Sequence, residues 1–482
     1  MTSEPAREAA EQEARAQEAA AAPRRRSFLR GLASGVAGGV VAGGAAGYYG
    51  RSTPPDATAI ANAAAVTGLL PAVPFHGRHQ AGILPEPSRA TAVVSFDATA
   101  DTRSDLVDLF QTVTDRARFL TAGGTPPPVG IDGPPADSGV LGPTVVPDGL
   151  TVTVGVGSTL FDDRYGLAGL RPRQLTAMTS FPNDDLDPAQ CGGDLIVQLS
   201  AGNSDTVLHA LRDIARNTRG GMQVNWRIDG FASPARPAGT VPRNLMGFMD
   251  GVANPAVTSA TQMDSLVWVD AAASGEPAWT QDGSYFVVRL IRMFVEFWDR
   301  VDINEQETMI GRRRATGYPL DGNSLHATPD YAADPTGEAV PLTAHIRLAN
   351  PRTSQTAASV LLRRAYNYDR GIDTVGDLDM GLVFTCFQQD LARQFVAVQT
   401  RLIGEPLIDY VSPFGGGYFL ALPGVTGPSD YYGRALLGGL RARSQKPILS
   451  RPQTAHLPGG RPPYPRCEAQ SASRQGGLRP GR

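Results

Sequence analysis

Cysteine is scarce in this chain. The 482 residues include three cysteines, which lie far apart at Cys191, Cys386 and Cys467. Their odd number and wide spacing argue against a disulfide framework, and the sequence contains no Cys-x-x-Cys metal motif. His-Glu-x-x-His, the P-loop pattern and Gly-x-Ser-x-Gly are also absent, which argues against a zinc protease, an NTPase or an α/β-hydrolase. An enzyme without these signatures is expected to take its reactivity from a bound cofactor.

The chain also lacks a large excess of charge of one sign. Its 44 basic and 47 acidic residues give a net charge of -3 and a pI near 6.1. Nothing in this balance predicts a nucleic acid as partner. The length is sufficient for two to three domains.

What the chain does contain is an acidic loop, followed at a distance by a histidine and an arginine. In Asn244–Pro255, Gly247 and Gly251 flank Asp250, and the loop closes with Asn254-Pro255. Glycine lets the backbone approach a ligand closely, so the loop could hold one carboxylate over a flat molecule. The same pattern also describes ordinary surface turns. The acid gains meaning from His345 and Arg363, which follow it downstream.

Seven ordered motifs span residues 74–423. They are Phe75-His76-Gly77-Arg78-His79-Gln80-Ala81-Gly82-Ile83, Gly192-Gly193-Asp194-Leu195, Gly247-Phe248-Met249-Asp250-Gly251, Ala344-His345-Ile346-Arg347-Leu348-Ala349-Asn350-Pro351-Arg352, Leu362-Arg363-Arg364, Leu378-Asp379-Met380-Gly381-Leu382 and Gly415-Gly416-Gly417-Tyr418-Phe419. Together they resemble the dye-decolorising haem peroxidases, and specifically their deferrochelatase/peroxidase branch.

The resemblance implies one haem b per chain, reduction of hydrogen peroxide and oxidation of small organic donors such as dyes and phenols. The branch also implies release of iron from haem with the porphyrin left intact, components of an iron-uptake system as partners, and self-association as a homo-oligomer. The alternative from another class is a non-catalytic haem or iron carrier, which would use His345 but not Asp250.

His345 is the predicted ligand of the haem iron. A peroxidase haem needs an imidazole on one face, whose electron donation favours cleavage of the O–O bond, and an open position on the other. Of the six histidines, His209 lies on a predicted helix, His326 in a polar loop and His456 in the tail. His76 and His79 come second to His345, and the resemblance decides this order.

Asp250 and Arg363 are the predicted catalytic residues on the open face. An unprotonated acid near both peroxide oxygens can take a proton from one and return it to the other. A permanently charged guanidinium stabilises the negative charge that develops as the O–O bond breaks. Arg364 is the neighbouring alternative, because one of two adjacent arginines on a strand points away; the resemblance selects Arg363.

The remaining predicted contacts surround the porphyrin. The resemblance gives a haem-binding set of Gly251, Val252, Ala253, His345, Asn350, Pro351, Arg352 and Arg363. Asp390 is the predicted carboxylate partner of the ligand imidazole, although an aspartate at a helix N-terminus is more often a cap. Electron relay and core packing are both open for the aromatic residues Trp298, Tyr366, Tyr368 and Tyr418.

The N-terminal region has the layout of a twin-arginine export signal. Arg24-Arg25-Arg26-Ser27-Phe28-Leu29 precedes an uncharged Ala/Gly/Val stretch, so residues 1–50 are the predicted signal and 51–73 a linker. An uncleaved membrane helix is the alternative. We therefore expect export to the periplasm or the cell exterior.

Hydrophobic periodicity predicts an α+β fold of two ferredoxin-like halves. Residues 74–255 read as β-α-β-β-α-β, with strands at 91–96, 150–156, 195–200 and 222–228, and helices from 104 to 120 and after Asp205. Residues 256–440 repeat the plan as a haem domain, with a β-rich run at 285–297, helices at 303–310 and 388–402, and strands at 382–387 and 418–422. Residues 441–482 lack periodicity and are predicted to be a flexible tail.

Overall fold

The computed structural model of the protein describes residues 69–438. The predicted export signal at 1–50, nearly all of the predicted linker at 51–73, and the predicted tail at 441–482 lie outside this range. His456 and Cys467 lie outside it as well. Within residues 69–438, no helix is both long enough and apolar enough to cross a membrane.

Strands and α-helices make up most of the regular structure of residues 69–438. The strands are β1 (Ala90–Ala98), β2 (Thr151–Gly157), β3 (Leu195–Ala201), β4 (Met222–Phe231), β5 (Ser284–Met293), β6 (Leu362–Arg363), β7 (Tyr366–Ile372), β8 (Leu378–Gln388) and β9 (Val411–Ala421). The α-helices are α1 (Arg103–Ala122), α2 (Ser204–Asn217), α3 (Ala260–Leu266), α4 (Ala271–Ser274), α5 (Val295–Trp298), α6 (Ile303–Ile310), α7 (His345–Ala349), α8 (Ala397–Arg401) and α9 (Arg434–Leu437).

The strands pair antiparallel in one continuous sheet. Their order is β5-β9-β2-β3-β1-β4-β7-β8-β6, and β5 also pairs with β8. This additional pairing closes eight strands into a ring, with β6 attached to β8. The two ferredoxin-like halves are joined at β2–β9 and at β4–β7, where the pairing is limited to Phe231 and Asn367. The predicted α+β class is confirmed, and the two sheets expected from the sequence are one.

Along β1, β2, β3 and β5 nearly every residue is buried, because successive side chains point alternately into the ring and into a second core outside it. In β5, Phe286 and Val288 belong to a core cluster drawn from strands all round the ring, which fills its interior. Tyr285 and Val287 point the other way, into the larger core beneath α1 and α2. Burial on both faces explains why these strands are apolar at most positions.

Local signals explain the helices that were predicted well. Thr102 and Asp105 form a capping box at the start of α1, and Gly123 ends the helix with a positive φ. The predicted helix at 303–310 is α6, which Asp302 caps through its side chain.

Three local predictions were wrong. Asn203, not Asp205, is the N-cap residue of α2, although its side chain makes no capping hydrogen bond. The β-rich run predicted to reach Phe297 ends at Met293, and α5 follows it. The helix predicted from Gln388 starts later, because β8 extends through Gln388; the helix consists of a π-helical turn at Ala392–Val396 followed by α8.

Candidate active site

The predicted site residues converge on one cavity outside the ring, against the outward face of β5 and β8. Seven of them line it: Asp250, Val252, Ala253, His345, Asn350, Arg352 and Arg363. Gly251 and Pro351 lie in the same two segments but do not line the cavity. Acid, imidazole and guanidinium, far apart in sequence, therefore share one space.

His345 is the first residue of α7, and its ring is anchored by a carboxylate. Its Nδ1 lies 2.7 Å from Oε2 of the buried Glu405. A carboxylate accepts, so Nδ1–H donates, and in the neutral ring this tautomer has its lone pair on Nε2. The predicted partner, Asp390, is wrong: its carboxylate accepts instead from the backbone N–H of Arg393 and acts as a cap.

The other described histidines are engaged elsewhere. His79 stacks on Trp268 with ring centroids 3.7 Å apart, and burial lowers the pKa of its imidazole. His209, on α2, is buried and has its Nδ1 2.9 Å from Ser138 Oγ. None of the following lines the cavity: His76, His79, His209 and His326.

Asp250 and Arg363 form an ion pair within the cavity. Arg363 comes from β6 and Asp250 from the glycine-flanked loop, and both side chains remain partly exposed. Arg364 points away and donates to the backbone carbonyl of Leu84. The structure therefore places the first arginine of the pair, and not the second, beside the acid.

The side chain of Asn254, which the sequence did not single out, keeps Asp250 and Arg363 close together. Asn254 Nδ2 donates to the carbonyl of Arg363 at 3.0 Å, and its Oδ1 accepts from the Arg363 N–H at 2.9 Å. The Asn254 N–H in turn donates to the carbonyl of Gly251, whose φ of 83° favours glycine. Asn254 thus fastens the acidic loop to β6. The Asn-Pro sequence was the available signal, but it indicated only an extended end to the loop.

Three further arginines line the cavity: Arg289, which is paired with Asp184, and Arg312 and Arg352. Arg352 has a φ of 58°, and its backbone N–H donates to Asn350 Oδ1 at 3.1 Å. Arg312 follows α6; it is buried, donates to the carbonyl of Gly317 at 2.7 Å, and burial lowers the pKa of its guanidinium. Sequence reasoning identified Arg352 and missed Arg312. The only feature of the sequence that marks Arg312 is its place in a run of three successive arginines after the end of α6.

The rest of the wall is largely apolar, as a porphyrin ring requires. The apolar lining side chains include Met246, Phe248, Met249, Ile291, Met293, Ile310, Ile346, Val360, Leu361, Leu382, Phe384, Phe395, Val398, Leu402, Leu407 and Val411. Apolar walls, an imidazole with one free nitrogen, and arginines able to pair with propionates form a donor set that fits haem.

The four aromatic residues considered for electron relay are buried. Trp298, Tyr366, Tyr368 and Tyr418 are each at most 3% exposed, and none lines the cavity. Trp298 Nε1 donates to the carbonyl of Met246 at 3.0 Å, within the segment that leads to Asp250. Burial raises the pKa of the Tyr368 hydroxyl. These contacts favour the packing role.

The chain is similar to known proteins over most of its length. Residues 80–232 match the family description "Dyp-type peroxidase, N-terminal" and residues 241–426 match "Dyp-type peroxidase, C-terminal". The protein named deferrochelatase from Escherichia coli (strain K12) is 50% identical over 368 residues, covering 76% of this chain and 87% of that protein. The chain belongs to the Dyp-type peroxidase family. Haem is therefore its cofactor, as the motifs implied.

Other members give the same family and fold. The deferrochelatase of Yersinia pestis is 49% identical over 367 residues, covering 76% of this chain and 84% of that protein. The crystal structure of the DyP-type peroxidase from Cellulomonas bogoriensis has 35% identity and a TM-score of 0.68, covering 76% of this chain and 98% of that one. Ferric DtpA from Streptomyces lividans has 34% identity and a TM-score of 0.68, with 76% and 97% coverage.

The contact between His345 and Glu405 predicts the effect of one substitution. Glu405→Gln keeps a hydrogen-bond acceptor but removes the negative charge that makes the imidazole a stronger donor. We expect the reduction potential of the bound iron to rise and peroxidase activity to fall by about 10- to 100-fold. Spectroelectrochemical titration and steady-state assays measure the two effects.

Asp390→Asn is the matched control. Asparagine also caps helices, and residue 390 does not contact His345 in the described structure, so both quantities should stay at the wild-type level. A shift in potential with Asp390→Asn, and none with Glu405→Gln, would overturn the assignment of Glu405.

Proposed function

We propose that the cavity reduces hydrogen peroxide with Asp250 and Arg363 and takes the electrons from a small organic donor. The observation that carries the proposal is the ion pair between these two side chains on the wall of the cavity that also contains His345. Bound haem supplies the exchange of electrons with peroxide and donor. The residues of the chain supply the proton transfers, the charge stabilisation and the binding.

Asp250 is suited to move one proton between the two peroxide oxygens. Its carboxylate accepts the proton from one oxygen and returns it to the other, which leaves as water. The ion pair with Arg363 places this carboxylate beside a guanidinium on the cavity wall. Asn254 keeps the loop and β6 at a fixed separation, so that the acid need not be repositioned between the two steps.

Arg363 contributes a positive charge to the cavity wall. It lies where negative charge develops as the O–O bond breaks, in a cavity with largely apolar walls, where electrostatic stabilisation is stronger than in water. His345, held by Glu405, would ligate the iron through Nε2. Arg312 and Arg352 would pair with the propionates, and the backbone at Gly251, Val252 and Ala253 would contact the porphyrin.

Asp250→Asn separates catalysis from cofactor binding. The amide keeps the shape of the side chain but cannot accept the proton, so the rate of peroxide reduction should fall by about 10²- to 10⁴-fold. Haem content should stay unchanged, because His345 and the apolar walls remain. Absorption spectroscopy gives the haem content, and stopped-flow mixing with peroxide gives the rate.

Asp299→Asn, on the surface beyond α5, serves as the control and should react like the wild type. The carrier alternative requires His345 alone, and it would be favoured if Asp250→Asn turned over peroxide at the wild-type rate while fully loaded with haem. The contact between Asp250 and Arg363 is the feature that a carrier would not need.

A second activity on the same cavity is release of iron from haem. It is supported by the relatives named deferrochelatase, which are 49–51% identical over 367–368 residues. In this reaction haem is the substrate, two protons replace the iron on the porphyrin nitrogens, and the macrocycle stays intact. Iron-uptake components as partners and self-association stay predictions.

Iron release has a direct optical readout. Protein incubated with excess haem and a ferrous chelator under reducing conditions should accumulate iron-free porphyrin, seen as red fluorescence, in step with the coloured iron complex. His345→Ala should lose both signals if the reaction uses this cavity. Iron released without a matching porphyrin emission would show that the macrocycle is opened, and would contradict the proposed activity.

Export by the twin-arginine route is proposed from the sequence at residues 24–29. Replacing Arg24, Arg25 and Arg26 together by lysine keeps the charge but removes the guanidinium pair that the route reads. The protein should then stay in the cytoplasm, as measured by cell fractionation. Arg30→Lys is the matched control and should be exported; export of the triple variant would contradict the route.

A further inference from the structure

A second cavity lies at one end of the ring interior, on the opposite side of the sheet from the haem cavity. Its volume is about 260 Å³. The inward faces of β2 and β3 contribute Thr151, Gln198 and Ser200, and Arg364 and Tyr366 close it from the β6–β7 side. Residues 70–73 and 82–88 form the rest of its wall.

At this end of the ring interior, polar and charged side chains lie beside apolar ones. Inward residues elsewhere include the apolar Val93, Phe286 and Val288, and the buried hydroxyls there, such as those of Ser95 and Thr385, donate to backbone carbonyls. In β3 the inward residue Ile196 is followed two and four positions later by Gln198 and Ser200. Strand alternation puts these polar side chains inside, where a purely structural core would favour Val or Ile.

Arg364 is a buried cation without a buried counter-charge. The residue is 2% exposed, and burial lowers the pKa of its guanidinium. Its Nη2 donates to the carbonyl of Leu84, and its Nη1 donates to that of Arg363 at 3.2 Å. Among the described residues, Glu86 is the carboxylate within ion-pair distance, at 3.6 Å, and its side chain is 74% exposed.

Two buried polar atoms of the cavity wall have no hydrogen-bond partner within residues 69–438: Arg364 Nε and Gln198 Oε1. A buried donor left unpaired costs about 1–3 kcal/mol, and more when the group is charged. The neighbouring hydroxyls are already engaged with each other, since Tyr366 donates to Ser200 Oγ at 3.2 Å. The guanidinium of Arg364 therefore forms part of the cavity wall and carries an Nε–H that has no acceptor within residues 69–438.

The opposite wall of the cavity is apolar. Leu70, Pro71, Val73 and Pro85 line it. Leu70 is held in place because its backbone N–H donates to Oδ1 of the buried Asp148 at 2.9 Å. A ligand here meets one cationic donor at one end and aliphatic surface along its body.

From this arrangement we infer that the second cavity binds a small organic monocarboxylate, with its carboxylate on Arg364 and its apolar body against Leu70, Pro71, Val73 and Pro85. A single guanidinium matches one negative charge, and its planar fork matches a carboxylate. A volume of about 260 Å³ is near the lower end for small-molecule sites, roughly 300–1,000 Å³. It suits a single-ring acid and excludes a multi-ring dye.

Benzoate is a suitable probe, with benzamide as its neutral isostere. Isothermal titration of benzoate into the haem-loaded protein should show one binding event, and benzamide should bind at least about tenfold more weakly because it lacks the charge. The Soret band should not move when benzoate binds, because the ligand lies on the other side of the sheet from the haem cavity.

Three variants localise the site. Glu86→Gln, on an exposed side chain, removes the competing carboxylate and should tighten benzoate binding by about two- to fivefold. Val73→Phe fills the cavity from its apolar wall and should abolish binding. Arg364→Gln should weaken binding by about 10- to 100-fold; if this buried substitution prevents folding, the other two variants still decide the question.

The inference is overturned by any of three results. These are absence of benzoate binding, binding of benzamide as strong as that of benzoate, and benzoate binding that shifts the Soret band and is unchanged by Glu86→Gln and Val73→Phe. The last result would place benzoate in the haem cavity. Peroxide turnover of the same variants, measured separately, should stay at the wild-type level for Glu86→Gln and Val73→Phe, so this inference can fail without affecting the proposed peroxidase function.

Discussion

Alternation of side chains along a strand is the constraint on which both cavities depend. Leu362, Arg363 and Arg364 are consecutive, and the pleat sends the first and third toward the ring interior and the second outward. Arg363 therefore contacts Asp250 in the haem cavity, whereas Arg364 lies on the opposite face of the sheet and lines the second cavity. A shift of the strand by one residue would exchange the two environments and remove the guanidinium from the catalytic acid. The hydrogen bonds between Asn254 and the backbone of Arg363 oppose such a shift.

The two guanidiniums differ in how their charge is compensated. Arg363 has a carboxylate partner of matching exposure and can be partly solvated, so its charge is available to a reaction at little structural cost. Arg364 is nearly fully buried, and its carboxylate partner lies at 3.6 Å on an exposed side chain. Removing a cation from water costs more than a loose, solvated partner returns. Stability alone would therefore favour an apolar residue at position 364, and a carboxylate bound in the second cavity would supply the counter-charge that Arg364 lacks.

The sequence was most informative where a local pattern and its physical cause coincide. The boundaries of α1 and α6 follow from caps and periodicity, and the strands follow from alternation, because each of these depends on neighbours in sequence. The convergence of Asp250, His345 and Arg363 came from the order of motifs, since nothing local predicts that three distant segments share a cavity. Glu405 has no local signal. It lies 60 residues after His345, which it contacts, and it precedes a short 3₁₀ turn, Pro406–Tyr410, in a segment without periodicity.

The segment after β8 shows why a correct period can still give the wrong boundary. Leu391, Phe395, Val398 and Leu402 have helical spacing, which predicted one regular helix. The chain instead forms a π-helical turn, in which the N–H of Val396 donates to the carbonyl of Leu391. Such a turn widens the helix by one residue and is rarely stable without tertiary support. Here the support comes from packing, because Leu391 and Phe395 are buried. Phe395, Val398 and Leu402 also form part of the wall of the haem cavity. The departure from a regular helix therefore occurs in the wall of the haem cavity. Helix propensity and hydrophobic periodicity carry no information about the shape of a bound cofactor, so they could not predict it.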